Sequence, residues 1–151
     1  STIASAVGQT SASGADTVPL TTPAAPAAAA AGSTEADAVA TASESLAAGR
    51  ADEAYAQLAP LEATRAGDPE FDYLLALAAL QAGRATAALA PLRRVLALEP
   101  RFDGARLELA RALLASGDAA AARREYEWVA GQGGSASTRE AAQRALAVLD
   151  G

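Results

Sequence analysis

From residue 34 onward, apolar residues return every three or four positions, the spacing that places them on one face of an α-helix. These periodic stretches are short, and a glycine, a proline or a pair of polar residues separates each one from the next. The pattern therefore predicts an all-α fold. The expected helices cover residues 35–48, 51–65, 70–82, 85–98, 103–116, 119–131 and 137–150.

The helical pattern itself repeats along the chain with a period of about 34 residues. Three sets of small and apolar residues share this spacing: Leu46, Gly49, Ala54 and Leu58; Leu80, Gly83, Ala88 and Leu92; Leu114, Gly117, Ala122 and Tyr126. The glycines are expected to end the first helix of each pair, because glycine adopts the left-handed conformation readily. The alanines fall where two helices cross, together with Ala42, Ala76 and Ala110 on the first helices. One helical hairpin cannot bury its apolar face alone, so the period predicts a stack of hairpins.

Capping and breaking residues refine this map. Asp68 and Asp118 are expected to cap the helices that follow them, and the segment from Ser137 has the spacing of a capping box for the last helix. Pro60 and Pro91 lie inside second helices, where we expect a local kink without a break. The resulting domain, residues 34–151, comprises three helix pairs, about 35–67, 68–102 and 103–134, and a capping helix, about 137–150.

Residues 1–33 have a different character. They consist mainly of Ser, Thr, Ala, Gly and Pro, which predicts an irregular low-complexity tail or linker, semi-extended in its Ala-Pro part. The substantial apolar side chains in this segment could anchor it to a protein surface, such as another copy of the chain. They are Ile3, Val7, Val18 and Leu20.

Composition narrows the function. The sequence contains no Cys and no His, which excludes thiol chemistry and Ser-His-Asp triads and argues against metal sites, so no cofactor or catalytic residue is predicted. A net charge of −6 without a basic stripe argues against nucleic acid as a partner. Since no apolar run is long enough to cross a bilayer, no membrane span is predicted.

Two groups of charged residues invite a chemical interpretation. Asp68, Glu70 and Asp72 alternate as calcium ligands do, but the start of a helix is the more favoured explanation, since acidic residues stabilise a helix N-terminus. The pairs Arg93–Arg94 and Arg123–Arg124 are expected to lie on solvated faces near acidic side chains, with contact to an acidic partner as the alternative.

With Gly83, Ala88 and Pro100 in place, residues 68–100 resemble a tetratricopeptide repeat. Residues 54–83 and 105–129 are also similar to the periplasmic repeats that precede an outer-membrane barrel in proteobacterial proteins of the surface lipoprotein assembly modifier type. The resemblance implies a solenoid of three helix pairs plus a capping helix, and binding of a protein or peptide without catalysis.

In tetratricopeptide repeats the first helix of each pair lines the binding groove, so the resemblance also implies site residues. The best candidates are Tyr73, Leu77, Gln81, Leu107 and Arg111, beside Val39, Ser43, Leu46, Leu80 and Leu114. Such a groove would suit an apolar or extended peptide, with Arg111 anchoring a carboxylate or a backbone carbonyl. The alternative is that Tyr73 and Leu77 only pack against a neighbouring helix.

The sequence thus predicts a non-catalytic interaction scaffold of a bacterial exported or envelope assembly, located in the periplasm or secreted. A cytoplasmic location is the alternative. The alternative function is a structural subunit that forms homo-oligomers through stacked solenoid ends and a docked N-terminal tail. These two functions differ in the expected association state.

Overall fold

The computed structural model describes the backbone of residues 24–151 and the side chains of residues 34–151. The chain divides into two compact units, Ser1–Ala38 and Val39–Gly151, and the second unit is an all-α solenoid, as predicted. The helices are α1 (Ala24–Ala47), α2 (Ala51–Leu58), α3 (Glu62–Arg65), α4 (Pro69–Gln81), α5 (Ala85–Leu98), α6 (Asp103–Ala115), α7 (Ala119–Gln132) and α8 (Ala136–Asp150). A 3-10 turn over Ala59–Leu61 joins α2 to α3.

The three glycines of the repeat period end helices as expected. The backbone φ angle is 85° at Gly49, 80° at Gly83 and 96° at Gly117. These values lie in the left-handed region that glycine tolerates best. At Gly83 the backbone N–H donates to the Leu80 carbonyl at 3.1 Å, and the next N–H donates to the Ala79 carbonyl at 2.8 Å. These two bonds define a Schellman motif, and the same two bonds recur at the other two glycines.

Alanines fill the helix crossings, as the pattern predicts. Six alanines, two from each helix pair, are completely buried: Ala42, Ala54, Ala76, Ala88, Ala110 and Ala122. Larger side chains, among them Leu75, Leu92, Val95 and Val129, are also fully or almost fully buried in the core. α4 packs on α5, α5 on α6, α6 on α7 and α7 on α8, so consecutive helices form the continuous core of the solenoid.

The start of α1 corrects the prediction of an irregular tail up to residue 33. α1 begins at Ala24, so the alanine-rich run after Pro23 is helical and not semi-extended. Alanine has the highest helix propensity, and Pro26 lies in the first turn, where its missing N–H has no intrahelical partner to lose. The four anchor residues predicted near the N-terminus lie outside the described residues.

The two prolines of the second helices behave differently. α5 continues through Pro91, as predicted. At Pro60 the prediction of a kink without a break is wrong, because α2 ends at Leu58 and the 3-10 turn separates it from α3. A 3-10 turn provides a different hydrogen-bonding register around a residue that lacks an N–H.

The last helix covers the end of the core, with a different cap from the one predicted. Ser135, not Ser137, is the N-cap, and its hydroxyl accepts from the backbone N–H of Thr138 at 3.2 Å. On the face of α8 toward α7, Ala142 is fully buried, and further apolar side chains pack against the main core cluster: Ala145, Leu146 and Leu149. Arg123 of α7 also pairs with Asp150 of α8 at 2.7 Å.

A buried ion pair connects α4 to its neighbours. Asp72 is completely buried, and its two oxygens accept hydrogen bonds from Nη2 and Nε of Arg94 at 2.8 and 3.1 Å. The N–H of Gly67 donates to the same carboxylate at 2.9 Å, and Arg94 also reaches Glu62 of α3 at 2.8 Å. The hydrogen bonds that Arg94 donates to Asp72 raise the pKa of the Arg94 guanidinium. Arg94 thus has acidic partners, as predicted, and its side chain is partly exposed, whereas its partner Asp72 is buried.

Replacing Asp72 by Asn should destabilise the protein strongly. Asn keeps the shape of the side chain but removes its charge, so the free energy of unfolding should fall by about 3 kcal/mol. This value is the lower end of the range for a broken buried ion pair, because Arg94 is partly exposed and can reach water. Urea unfolding measures this loss. The matched control is Asp37→Asn on the exposed surface of α1, and an equal effect of both changes would contradict the role of Asp72.

The crossing of α4 and α5 should not tolerate a larger side chain. Ala88→Leu should cost roughly 1–3 kcal/mol, because overpacking forces the helices apart. Ala90→Leu adds the same atoms at an exposed position of the same helix and should change little. Thermal melts that show no loss for Ala88→Leu would refute this packing.

Candidate functional site

A cleft runs along the side of α4 that carries two of the predicted groove residues. Val39 and Ser43 of α1 correspond to Tyr73 and Leu77 of α4 by the repeat period, and the members of each pair lie one helical turn apart on one helix face. All four line a cleft of about 400 Å³. Its other walls are Ala40, Arg65, Asp68, Glu70, Phe71 and Leu74.

The other predicted groove residues lie elsewhere. Gln81 is exposed at the end of α4 and does not line this cleft. Leu107 is only 7% exposed and belongs to the core cluster, so little of its side chain is available to a ligand. Arg111 is exposed, and its Nη1 donates to Glu108 at 2.7 Å. The structure therefore brings Tyr73 and Leu77 together at one cleft, and it places Leu107 in the core.

Tyr73 is half-buried at the edge of this cleft. Its ring centroid lies 4.8 Å from that of Phe102, with the ring planes tilted by 42°. Burial raises the pKa of the Tyr73 phenol, the charge of Glu108 raises it further, and the charge of Arg111 lowers it. The net direction is upward, so Tyr73 is a neutral phenol at physiological pH and can donate a hydrogen bond to a ligand.

Two further clefts follow on the far side of Tyr73. The first, of about 300 Å³, is lined by Pro69, Glu70, Tyr73, Glu99 and Phe102. The second, of about 450 Å³, is lined by Glu99, Pro100, Arg101 and Phe102. Each cleft shares two lining residues with the next, so the three clefts neighbour one another between α1 and the loop that joins α5 to α6.

The position of that loop depends on Arg106 of α6. Its guanidinium lies 4.1 Å from the ring centroid of Trp128, and its Nη2 donates to the Pro100 carbonyl at 3.0 Å. Nη1 donates to Glu125 of α7 at 2.8 Å. Together these contacts connect the loop to α6 and α7. Sequence reasoning missed both Glu99 and Phe102 as site residues, although the aromatic ring of Phe102 in a short polar loop is a signal that could have indicated them.

The three carboxylates considered as calcium ligands have three separate roles. Asp68 caps α4 by accepting from the backbone N–H of Glu70 at 3.1 Å. Asp72 binds Arg94 on the buried side of α4. The exposed residue Glu70 lines the two clefts on either side of Tyr73. The cap formed by Asp68 agrees with the helix-start interpretation, and Glu70 remains exposed at the two clefts.

Comparison with known families agrees with this architecture. The tetratricopeptide repeat family model matches residues 79–149, from the end of α4 into α8. This match supports the interpretation that the chain contains tetratricopeptide repeats. Repeats of this class generally mediate protein–protein interactions. None of the curated proteins compared with the chain matches it. Within residues 24–151, no helix is both long and apolar enough to cross a membrane.

Proposed function

We propose that the chain is a non-catalytic interaction scaffold that binds an apolar, extended segment of a partner protein beside α1 and α4. The observation that carries the proposal is the cleft of about 400 Å³. It is lined by Val39 and Ser43 of α1 and by Tyr73 and Leu77 of α4. Corresponding positions of two successive repeats thus line one cleft.

The lining of the cleft favours apolar side chains. Val39, Leu74 and Leu77 are half-buried, so each still presents apolar surface that a ligand can remove from water. A cleft of this size receives one or a few side chains of a segment, and a folded surface would not enter it. The hydroxyls of Ser43 and Tyr73 can pair with the polar backbone of such a segment.

The pairing of Arg111 with Glu108 changes the expected anchor. Because one nitrogen of the guanidinium already donates to a carboxylate, a partner carboxylate would have to share or displace that interaction. Apolar contacts in the cleft, and not a clamp on a carboxylate, therefore carry the proposed binding.

We further propose that the scaffold works in an exported or envelope assembly of a bacterium. The resemblance of its repeats to those of the outer-membrane proteins described above supports this compartment. An antibody against the repeats should detect the protein in the periplasmic or secreted fraction of the source cells. Detection in the cytoplasmic fraction alone would contradict this compartment.

Self-assembly through stacked solenoid ends has less support. The exposed positions of α8 include Glu140, Gln143 and Arg144 beside Val148, which is 78% exposed. Mainly polar exposed positions favour contact of this face of α8 with water over burial against another copy.

Blocking the cleft should abolish binding of its ligands. Peptides selected from a library of random linear sequences on the wild-type chain should bind Ser43→Arg at least about tenfold more weakly, because the long side chain fills the cleft. Fluorescence anisotropy of the labelled peptides measures the dissociation constant.

Thr41→Arg is the matched control, since it adds the same side chain at an exposed position of the same helix that does not line the cleft. Circular dichroism should be unchanged in both variants. Equal affinity of the two variants for every selected peptide, or a selection that yields no binding peptide, would contradict the proposal.

A further inference from the structure

We propose that the cleft on the far side of Tyr73 binds the cationic side chain of the partner segment, with arginine preferred. This inference rests on the proposed function, because it assigns a second feature to the same partner. The site consists of Glu70, Tyr73, Glu99 and Phe102, with Pro69 completing its wall. We call this site the cation cleft.

Two aromatic side chains, Tyr73 and Phe102, line the cation cleft. The Tyr73 and Phe102 rings lie 4.8 Å apart between centroids and are tilted by 42°, so they form two adjacent apolar surfaces. The face of an aromatic ring attracts a cation through its quadrupole, and a planar guanidinium can also stack on it. The volume of about 300 Å³ accommodates one long side chain.

The charge at this cleft is unbalanced. Glu70 and Glu99 are both exposed, and within residues 34–151 neither carboxylate forms an ion pair or accepts a hydrogen bond. Arg101 lines the adjacent cleft, but its guanidinium lies 5.7 Å from the ring centroid of Trp128. Arg111 is paired with Glu108. The described part of the chain thus supplies two carboxylates here and no paired cation.

Carboxylates and rings act together on a guanidinium. Exposed ion pairs alone contribute little, but charge-assisted hydrogen bonds are stronger beside apolar walls that exclude water. Arginine fits better than lysine, because its planar group can stack on a ring while its N–H groups donate to both glutamates. The cation cleft therefore discriminates by charge and by shape.

The position of the cation cleft also predicts the spacing of the partner sequence. Glu70 and Tyr73 line both this cleft and the apolar cleft beside α1, so the two subsites are adjacent. In an extended segment, alternate side chains point to the same side. A partner should therefore carry its arginine two positions from an apolar residue.

The test uses a probe small enough to occupy the cation cleft alone. Nα-acetyl-arginine methylamide is titrated into the full chain, and the aromatic ¹H–¹³C resonances of Tyr73 and Phe102 are followed by NMR. We expect saturable shifts of both rings. Nα-acetyl-citrulline methylamide has nearly the same shape without the charge and should shift them at least about tenfold more weakly.

The variant pair Glu70→Gln and Glu99→Gln, combined in one chain, should weaken arginine binding by at least about tenfold as well. The matched control combines Glu127→Gln and Glu140→Gln, which remove the same charge at exposed positions outside the cation cleft, and it should bind like the wild type. Equal shifts with citrulline, unchanged binding by the Glu70 and Glu99 variant, or no saturable shift with arginine would each overturn the inference.

This outcome is separable from that of the peptide selection. Peptides that bind in the apolar cleft but show no preference for arginine would leave the proposed function intact and remove the cation cleft. Saturable arginine binding by a chain for which no peptide is selected would leave the cation cleft intact and remove the proposed function.

Discussion

The bidentate pair of Asp72 with Arg94 is the interaction on which the candidate site depends. A carboxylate that is completely buried loses its hydration, and only full pairing makes this tolerable. Two guanidinium nitrogens and the N–H of Gly67 supply that pairing, and Glu62 binds the remaining side of Arg94. The network fixes α4 against α5 and the end of the preceding repeat. Tyr73, the next residue along α4, thereby gains a fixed position at the clefts.

Much of the fold could be predicted because it follows from local rules. Glycine at a left-handed helix end and alanine at a close crossing are each required by the backbone at their own position, so a regular spacing reveals them. The Asp72–Arg94 pair could not be predicted from a regular spacing, because its two residues lie on different helices. In addition, an acidic residue near the start of a helix is already explained by its favourable interaction with the helix N-terminus. The early start of α1 was also not predicted, because three prolines and a low-complexity composition indicated an irregular segment despite the high helix propensity of alanine.

The candidate site, like the fold, could be predicted from the sequence only in part. Tyr73 and Leu77 could be assigned by their place in the repeat, and both line the cleft. Leu107 could not, because a small rotation of a helix decides whether a residue at the groove edge is open or buried. Glu99 and Phe102 belong to a loop, where periodicity carries no information. The pairing of Arg111 with Glu108 could have been predicted from the sequence, because residues three positions apart on a helix are neighbours.

The proposed partner segment lies in the cleft between α1 and α4. Because the chain contains no cysteine, a single one can be introduced and its reaction with a thiol reagent followed without background. Ala40→Cys lies in the cleft wall, and Ala97→Cys lies at an exposed position of α5. A saturating selected peptide should slow the modification of Ala40→Cys and leave that of Ala97→Cys unchanged. Protection of Ala97→Cys with free reaction of Ala40→Cys would contradict the account.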